Sequence, residues 1–107
     1  MSKFETLEKL APEIAVRKSA SPETSYTAKL LSQGVEKCAK KFGEEAFELA
    51  LASVLKDKAH TAQEAADVLY HLLVLLQSAD VSIDDVMAVL KSREGTSGID
   101  EKASRRG

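Results

Sequence analysis

Hydrophobic residues recur along most of the chain at spacings of three and four, the period of an amphipathic helix. The first apolar stripe consists of Phe4, Leu7, Leu10, Ala11 and Ile14. It predicts a helix from Glu5 to Arg17. Residues 18–24 are rich in Ser, Pro and Thr, and the apolar positions that follow predict a short second helix that begins near Ser25 and stops at Gly34.

Three further helices are predicted in the second part of the chain. A broad apolar face over residues 35–56 predicts the third helix. Thr61 and Glu64 have the spacing of a capping box, which predicts a fourth helix from there to about residue 79. This helix is apolar almost all round, so we expect it at the centre of the structure. Ser82–Asp85 repeats the capping pattern and predicts a fifth helix towards residue 93.

No segment alternates with a period of two, so the sequence predicts an all-α bundle of about five helices. The 107 residues, 44% of them hydrophobic, suffice for a single domain over residues 1–107, with 95–107 as a polar tail. A domain of this size buries a modest fraction of its surface, so oligomerisation would help it. The nearly all-apolar fourth helix favours a homodimer that completes the bundle.

Net charge and the apolar runs exclude several classes of partner. A net charge of -2 provides no general field for binding nucleic acid. The nearly uncharged run Val68–Ala79 is too short to span a bilayer, which needs about 20 residues. Cys38 is the single cysteine and residues 1–20 lack the apolar core of a signal peptide, so we expect a cytoplasmic protein.

Three carboxylates crowd one part of the third helix. Glu44, Glu45 and Glu48 fall within little more than one turn, and neighbouring like charges destabilise a helix by roughly 0.2–0.5 kcal/mol per pair. The simplest interpretation is a solvated acidic face relieved by Lys40 and Lys41.

A second pair of carboxylates favours a metal site over a solvated face. Glu64 and Asp67 lie one turn apart in the most apolar helix, where an ionised carboxylate is costly unless it is paired or bound to a metal. If the third and fourth helices are antiparallel, Glu45 and Glu48 can face this pair. Such a cluster suits Mg²⁺, which prefers oxygen ligands and leaves positions for water and phosphate. A di-iron site would need two Glu-x-x-His pairs, and neither histidine has that spacing.

The paired motif Glu45-x-x-Glu48 and Glu64-x-x-Asp67 resembles that of the all-α nucleotide pyrophosphohydrolases. Segments 25–31, 41–45, 65–76 and 93–102 narrow the resemblance to the phosphoribosyl-ATP pyrophosphohydrolase family. It implies a magnesium-dependent helical dimer that converts phosphoribosyl-ATP and water to phosphoribosyl-AMP and pyrophosphate, the second step of histidine biosynthesis.

The resemblance also implies roles for individual residues. The expected metal ligands are Glu45, Glu48, Glu64 and Asp67. The expected catalytic residues are Glu44, Glu45 and Glu48, with Glu44 either a further ligand or the base that orients the attacking water.

Substrate contacts are expected from two further groups of residues. The first comprises Ser25, Thr27, Lys29 and Lys41, each of which could equally be a helix cap or a surface charge. The second lies in or near the tail and comprises Arg93, Ser97, Gly98, Lys102 and Arg105, which could bind the phosphoribosyl end of the substrate. We expect His71 to be a hydrogen-bonded core histidine and Tyr70 and Cys38 to be packing residues.

Two alternatives remain at this stage. A related pyrophosphohydrolase acting on damaged or excess nucleoside triphosphates would use the same cluster, although the tail and the Ser-Tyr-Thr stretch at 25–27 argue against it. A noncatalytic helical dimerisation module would make the acidic face ordinary surface, and it leaves Asp67 unexplained.

Overall fold

The computed structural model describes residues 3–95, and in this part of the chain it contains five α-helices and no strand. The helices are α1 Glu5–Arg17, α2 Tyr26–Ser32, α3 Val35–Val54, α4 Lys58–Ser78 and α5 Ile83–Ser92. The predicted all-α class is confirmed.

Helices α3 and α4 form an antiparallel hairpin, because only residues 55–57 connect them and they make the most extensive helix contact of the fold. Lys56 adopts a left-handed conformation with φ of 59° and ends α3. Its N–H donates to the carbonyl of Ser53, and the next N–H, of Asp57, donates to that of Ala52. This pair of bonds is a Schellman motif, which allows the chain to reverse at once.

The predicted start of α4 at Thr61 is wrong. The helix begins earlier in the chain, at Lys58, and is capped by Asp57. The Asp57 carboxylate accepts a hydrogen bond from the backbone N–H of His60 at 3.0 Å. Asp57 is as good a cap as Thr61, and it also follows directly on the chain reversal that ends α3. Thr61 therefore lies within the first turns of the helix.

Helix α4 is central, as predicted, since α1, α2 and α3 all pack against it. The buried core cluster consists of Ile14, Leu30, Cys38, Leu73 and Val74. The Cys38 thiol donates to the Leu30 carbonyl at 3.3 Å, which ties α3 to α2. Phe4 does not share the burial predicted for its stripe and is 61% exposed, because it precedes α1 and lies beyond the core.

Helix α3 carries two apolar faces, one buried in the core and one exposed. The sequence analysis treated them as one broad face. The side chains of Phe47, Leu51 and Val54 are 69%, 51% and 76% exposed, on the side of α3 opposite the buried Cys38. The described residues leave this face uncovered.

Helix α5 begins at Ser82 as predicted, and the Ser82 hydroxyl accepts a bond from the N–H of Asp85 at 3.1 Å. None of its residues is buried, and Ile83 is its contact with the core cluster. Among residues 3–95, none of the helices has the length and apolar character needed to cross a membrane.

Candidate metal centre

The α3–α4 hairpin brings three carboxylates together. Glu45 and Glu48 lie one turn apart on α3, and Glu64 lies near the start of α4. One oxygen from each of the three lies within 4.8 Å of the others. The short connection between the helices produces this proximity, because it sets the last turns of α3 beside the first turns of α4.

Glu64 is largely enclosed, with a side chain only 13% exposed. Its Oε1 is 3.0 Å from Nε2 of His60. Its Oε2 is buried and has no hydrogen-bond partner among the described residues. A buried carboxylate oxygen without a partner is costly, and a bound cation would satisfy it. The donor set is entirely oxygen, which fits a hard divalent ion such as Mg²⁺.

The electrostatics of Glu45 show how much negative charge accumulates here. Partial burial raises the pKa of Glu45, and the neighbouring charges of Glu48, Asp67 and Glu64 raise it further. Lys41 opposes this pKa shift without cancelling it. The described residues therefore leave the cluster short of positive charge, a deficit that a cation would relieve.

Asp67 does not occupy the buried position expected of it. Its side chain is exposed, because the buried residues of α4 begin only at His71, one turn further along the helix. The expectation that an apolar helix would bury Asp67 is wrong. Asp67 lies outside the group of three, yet its charge is close enough to raise the pKa of Glu45.

Lys41 and Glu44 form an ion pair beside the cluster, with Nζ and Oε2 3.5 Å apart. The pKa of Lys41 is raised by Tyr26 most strongly and then by Glu44, with a smaller effect from Glu45. Lys41 therefore lies between the carboxylates of α3 and the start of α2. The ammonium group of Lys41 is therefore well placed to contact an anionic group held at the carboxylates by a metal ion.

The remaining predicted substrate contacts lie in different parts of the chain. Ser25 caps α2, its hydroxyl accepting from the Ala28 N–H at 3.1 Å, and the Thr27 hydroxyl is 2.5 Å from that of Tyr70. Lys29 is exposed and lines a surface depression with Ser25. Arg93 follows α5 as its C-cap, far along the chain from the cluster. The last set, Ser97, Gly98, Lys102 and Arg105, lies outside the described residues.

Two features escaped the sequence reasoning. His60 is bonded to Glu64, and its position four residues earlier on the same helix was the available signal. The rings of Tyr26, Tyr70 and His71 also form a cluster, in which Tyr70 and His71 meet edge to face with centroids 5.0 Å apart. His71 is buried as expected, and burial lowers its pKa.

Comparison with known proteins identifies the family. The model of the phosphoribosyl-ATP pyrophosphohydrolase family matches residues 7–94. A protein of Cereibacter sphaeroides named phosphoribosyl-ATP pyrophosphatase is 61% identical over 99 residues, covering 92% of this chain and 96% of that protein. A protein of the same name from Paracoccus denitrificans is 59% identical over 100 residues, covering 94% and 93%. One from Rhodobacter capsulatus is 58% identical over 99 residues, covering 92% of this chain and 96% of that protein. Because the match spans most of the chain at this identity, the chain belongs to the phosphoribosyl-ATP pyrophosphohydrolase family.

Proposed function

We propose that the chain hydrolyses phosphoribosyl-ATP to phosphoribosyl-AMP and pyrophosphate, the second step of histidine biosynthesis. The observation that carries the proposal is the group of Glu45, Glu48 and Glu64, whose oxygens converge within 4.8 Å in a chain of this family. A reaction that separates two highly anionic products needs concentrated positive charge, and an oxygen-only cluster provides a place for it.

The proposed cofactor is Mg²⁺, held by Glu45, Glu48, Glu64 and Asp67. Oε2 of Glu64, buried without a hydrogen-bond partner in residues 3–95, and the raised pKa of Glu45 support this set, because a cation would relieve both. The effect of Asp67 on the Glu45 pKa supports its inclusion, although its side chain, like that of Glu48, is exposed. When bound, the ion neutralises phosphate oxygens and the pyrophosphate leaving group and makes a water more acidic.

The chain's own residues supply the rest of the chemistry. Lys41, already at the edge of the cluster, is proposed to bind the polyphosphate, exchanging its contact with Glu44 for one with substrate. Glu44 then becomes free to orient the attacking water and accept its proton. The exclusion of Glu44 from the group of three converging carboxylates supports this role over that of a ligand.

Further proposed substrate contacts lie around this centre. Ser25 and Thr27 lie at the start of α2, beside Tyr26, which neighbours Lys41, and Lys29 lies in the last turn of the same short helix. The hydrogen bonds of Ser25 and Thr27 within the fold make positioning of α2 their main contribution. The phosphoribosyl end is proposed to meet Arg93, Ser97, Gly98, Lys102 and Arg105.

We also propose that the enzyme is a cytoplasmic homodimer. The exposed face of Phe47, Leu51 and Val54 on α3 supports dimerisation, because burying such side chains against a second copy removes apolar surface from water. The single cysteine, Cys38, is a buried free thiol, which suits a reducing compartment. A solution mass corresponding to one chain at micromolar concentration would exclude the dimer.

The test of function is pyrophosphate release from phosphoribosyl-ATP, with ATP and dUTP as control substrates, each with Mg²⁺ and with a chelator. Magnesium-dependent release from phosphoribosyl-ATP alone is expected. Release only from the control substrates would keep the reaction and change the substrate. The absence of release from all three would refute the proposal in favour of a noncatalytic module.

Asp67→Asn tests the ligand set within the same assay. The substitution removes a charge at nearly constant volume, so turnover should be lost while helical content is retained. Asp84→Asn, an exposed acidic residue in the first turn of α5, is the matched control and should keep its activity. Normal turnover in Asp67→Asn would exclude Asp67 as a ligand.

A further inference from the structure

His60 and Glu64 are joined near the start of α4, one turn apart on the same side of the helix. The imidazole Nε2 lies 3.0 Å from Oε1 of Glu64, with His60 half exposed and Glu64 only 13% exposed. An ionised carboxylate can only accept hydrogen bonds, so Nε2 must carry the proton and donate it. The bond therefore defines both the imidazole tautomer and the orientation of the carboxylate.

This bond makes the two oxygens of the Glu64 carboxylate differ in their hydrogen bonding. Oε1 is engaged by His60, whereas Oε2 is buried without a hydrogen-bond partner among the described residues. Glu64 also belongs to the group of carboxylates that converge within 4.8 Å. The bond from His60 opposes rotation of the carboxylate and so keeps Oε2 pointing in one direction. Oε2 is therefore the oxygen that remains available to a cation.

We propose that His60 is a positioning residue of the metal site, which holds Glu64 by one oxygen and presents the other to Mg²⁺. The inference rests on the proposed function, since it assumes that Glu64 binds the metal. Groups that hydrogen-bond to metal ligands limit the ligands' freedom before the metal arrives, so less order has to be gained on binding.

The chemistry of imidazole suits this position. An imidazole can donate a hydrogen bond without carrying a charge, whereas a lysine or arginine would bring a permanent positive charge beside the bound cation. The competing interpretation is an ordinary surface pair at i and i+4, such as that between Glu5 and Lys9 at 3.0 Å on α1. A surface pair predicts no effect on metal binding.

The test compares His60→Leu, which removes the donor, with His60→Gln, which keeps an N–H donor. Binding of Mg²⁺ to the full chain is measured by calorimetry, and binding of Mn²⁺ by electron paramagnetic resonance, both without substrate. His60→Leu should weaken metal binding about 10-fold to 100-fold, the usual effect of losing a group that orients a ligand. His60→Gln should remain near the wild type.

Lys9→Leu breaks an equivalent i, i+4 pair away from the cluster and is the matched control, with metal binding unchanged. Circular dichroism establishes that each variant is folded, which the half-exposed position of His60 favours. Metal affinity unchanged in His60→Leu, or lost equally in His60→Gln, would overturn the positioning role alone. A wild-type chain that binds neither ion would overturn the metal site itself and this inference with it.

Discussion

Neutralising Glu45 is expected to stabilise the metal-free protein while removing its response to Mg²⁺. Glu45→Gln keeps the shape of the side chain and removes its repulsion with Glu48 and Glu64, whose oxygens lie within 4.8 Å. Coulomb's law at this separation gives about 0.9 kcal/mol per pair in water and about 3.5 kcal/mol at an effective dielectric constant of about 20. Because Glu48 is exposed and screened by solvent, the aqueous value is the better guide.

Loss of two such pairs should raise the free energy of unfolding of the metal-free chain by about 1–3 kcal/mol, or the melting temperature by roughly 4–13 °C. The sign depends on pH. The folded-state pKa of Glu45 lies above its ordinary value, so the wild type loses stability as the pH rises through the folded-state pKa. The advantage of the variant is therefore complete only above that range.

Thermal unfolding at pH 8 by circular dichroism, in a chelator and in excess Mg²⁺, measures both effects. A ligand at 100 times its Kd should stabilise the wild type by about 2.7 kcal/mol, and Glu45→Gln should lose most of this gain. Glu36→Gln, an exposed glutamate in the first turn of α3, is the matched control and should keep the magnesium response. A metal-free Glu45→Gln that melts no higher than wild type, or that responds normally to Mg²⁺, would refute the reasoning.

Three further measurements test the fold around the site. Asp57→Ala should cost about 1 kcal/mol in urea unfolding, because Asp57 caps α4, whereas Thr61→Ala should cost clearly less; equal costs would contradict the cap. Tyr70→Phe removes the hydroxyl that contacts Thr27 and should lower the free energy of unfolding by about 1 kcal/mol. Unchanged stability would mean that water replaces this contact without loss. Burial lowers the pKa of His71, so the unfolded chain is protonated first and the wild type loses stability as the pH falls below about 6.5. His71→Leu should reduce this slope by up to about 1.4 kcal/mol per pH unit, and parallel pH profiles would show that His71 does not titrate in this way.

The sequence was most informative where periodicity and local chemistry agree. The bounds of α1 follow from its apolar spacing of three and four, and the start of α5 follows from the capping pattern at Ser82. In both places the pattern indicates a helix and offers no competing start. The start of α4 was misjudged because Asp57 and Thr61 are both acceptable caps. The choice depends on how α3 ends, and the left-handed Lys56 that ends it carries no glycine signal.

At the candidate site, too, the sequence predicts which residues share a helix face but not how each side chain is packed. Spacing placed Glu45 and Glu48 opposite Glu64 once the hairpin was assumed, because helix geometry determines which residues share a face. It could not give the exposure of Asp67, which depends on how far the other helices extend over α4. The bond from His60 depends on side-chain rotamers, and these follow from packing rather than from sequence spacing.

The hairpin of α3 and α4 has a consequence for how the site comes into being. All four proposed ligands belong to this one unit, and only residues 55–57 must turn to bring its arms together. Contacts of such low sequence separation cost little loop-closure entropy and favour rapid folding. The carboxylates should therefore meet early, before α1 and α2 dock, so that their mutual repulsion opposes an early step of folding. Mg²⁺ present during refolding should then accelerate that step as well as stabilise its product.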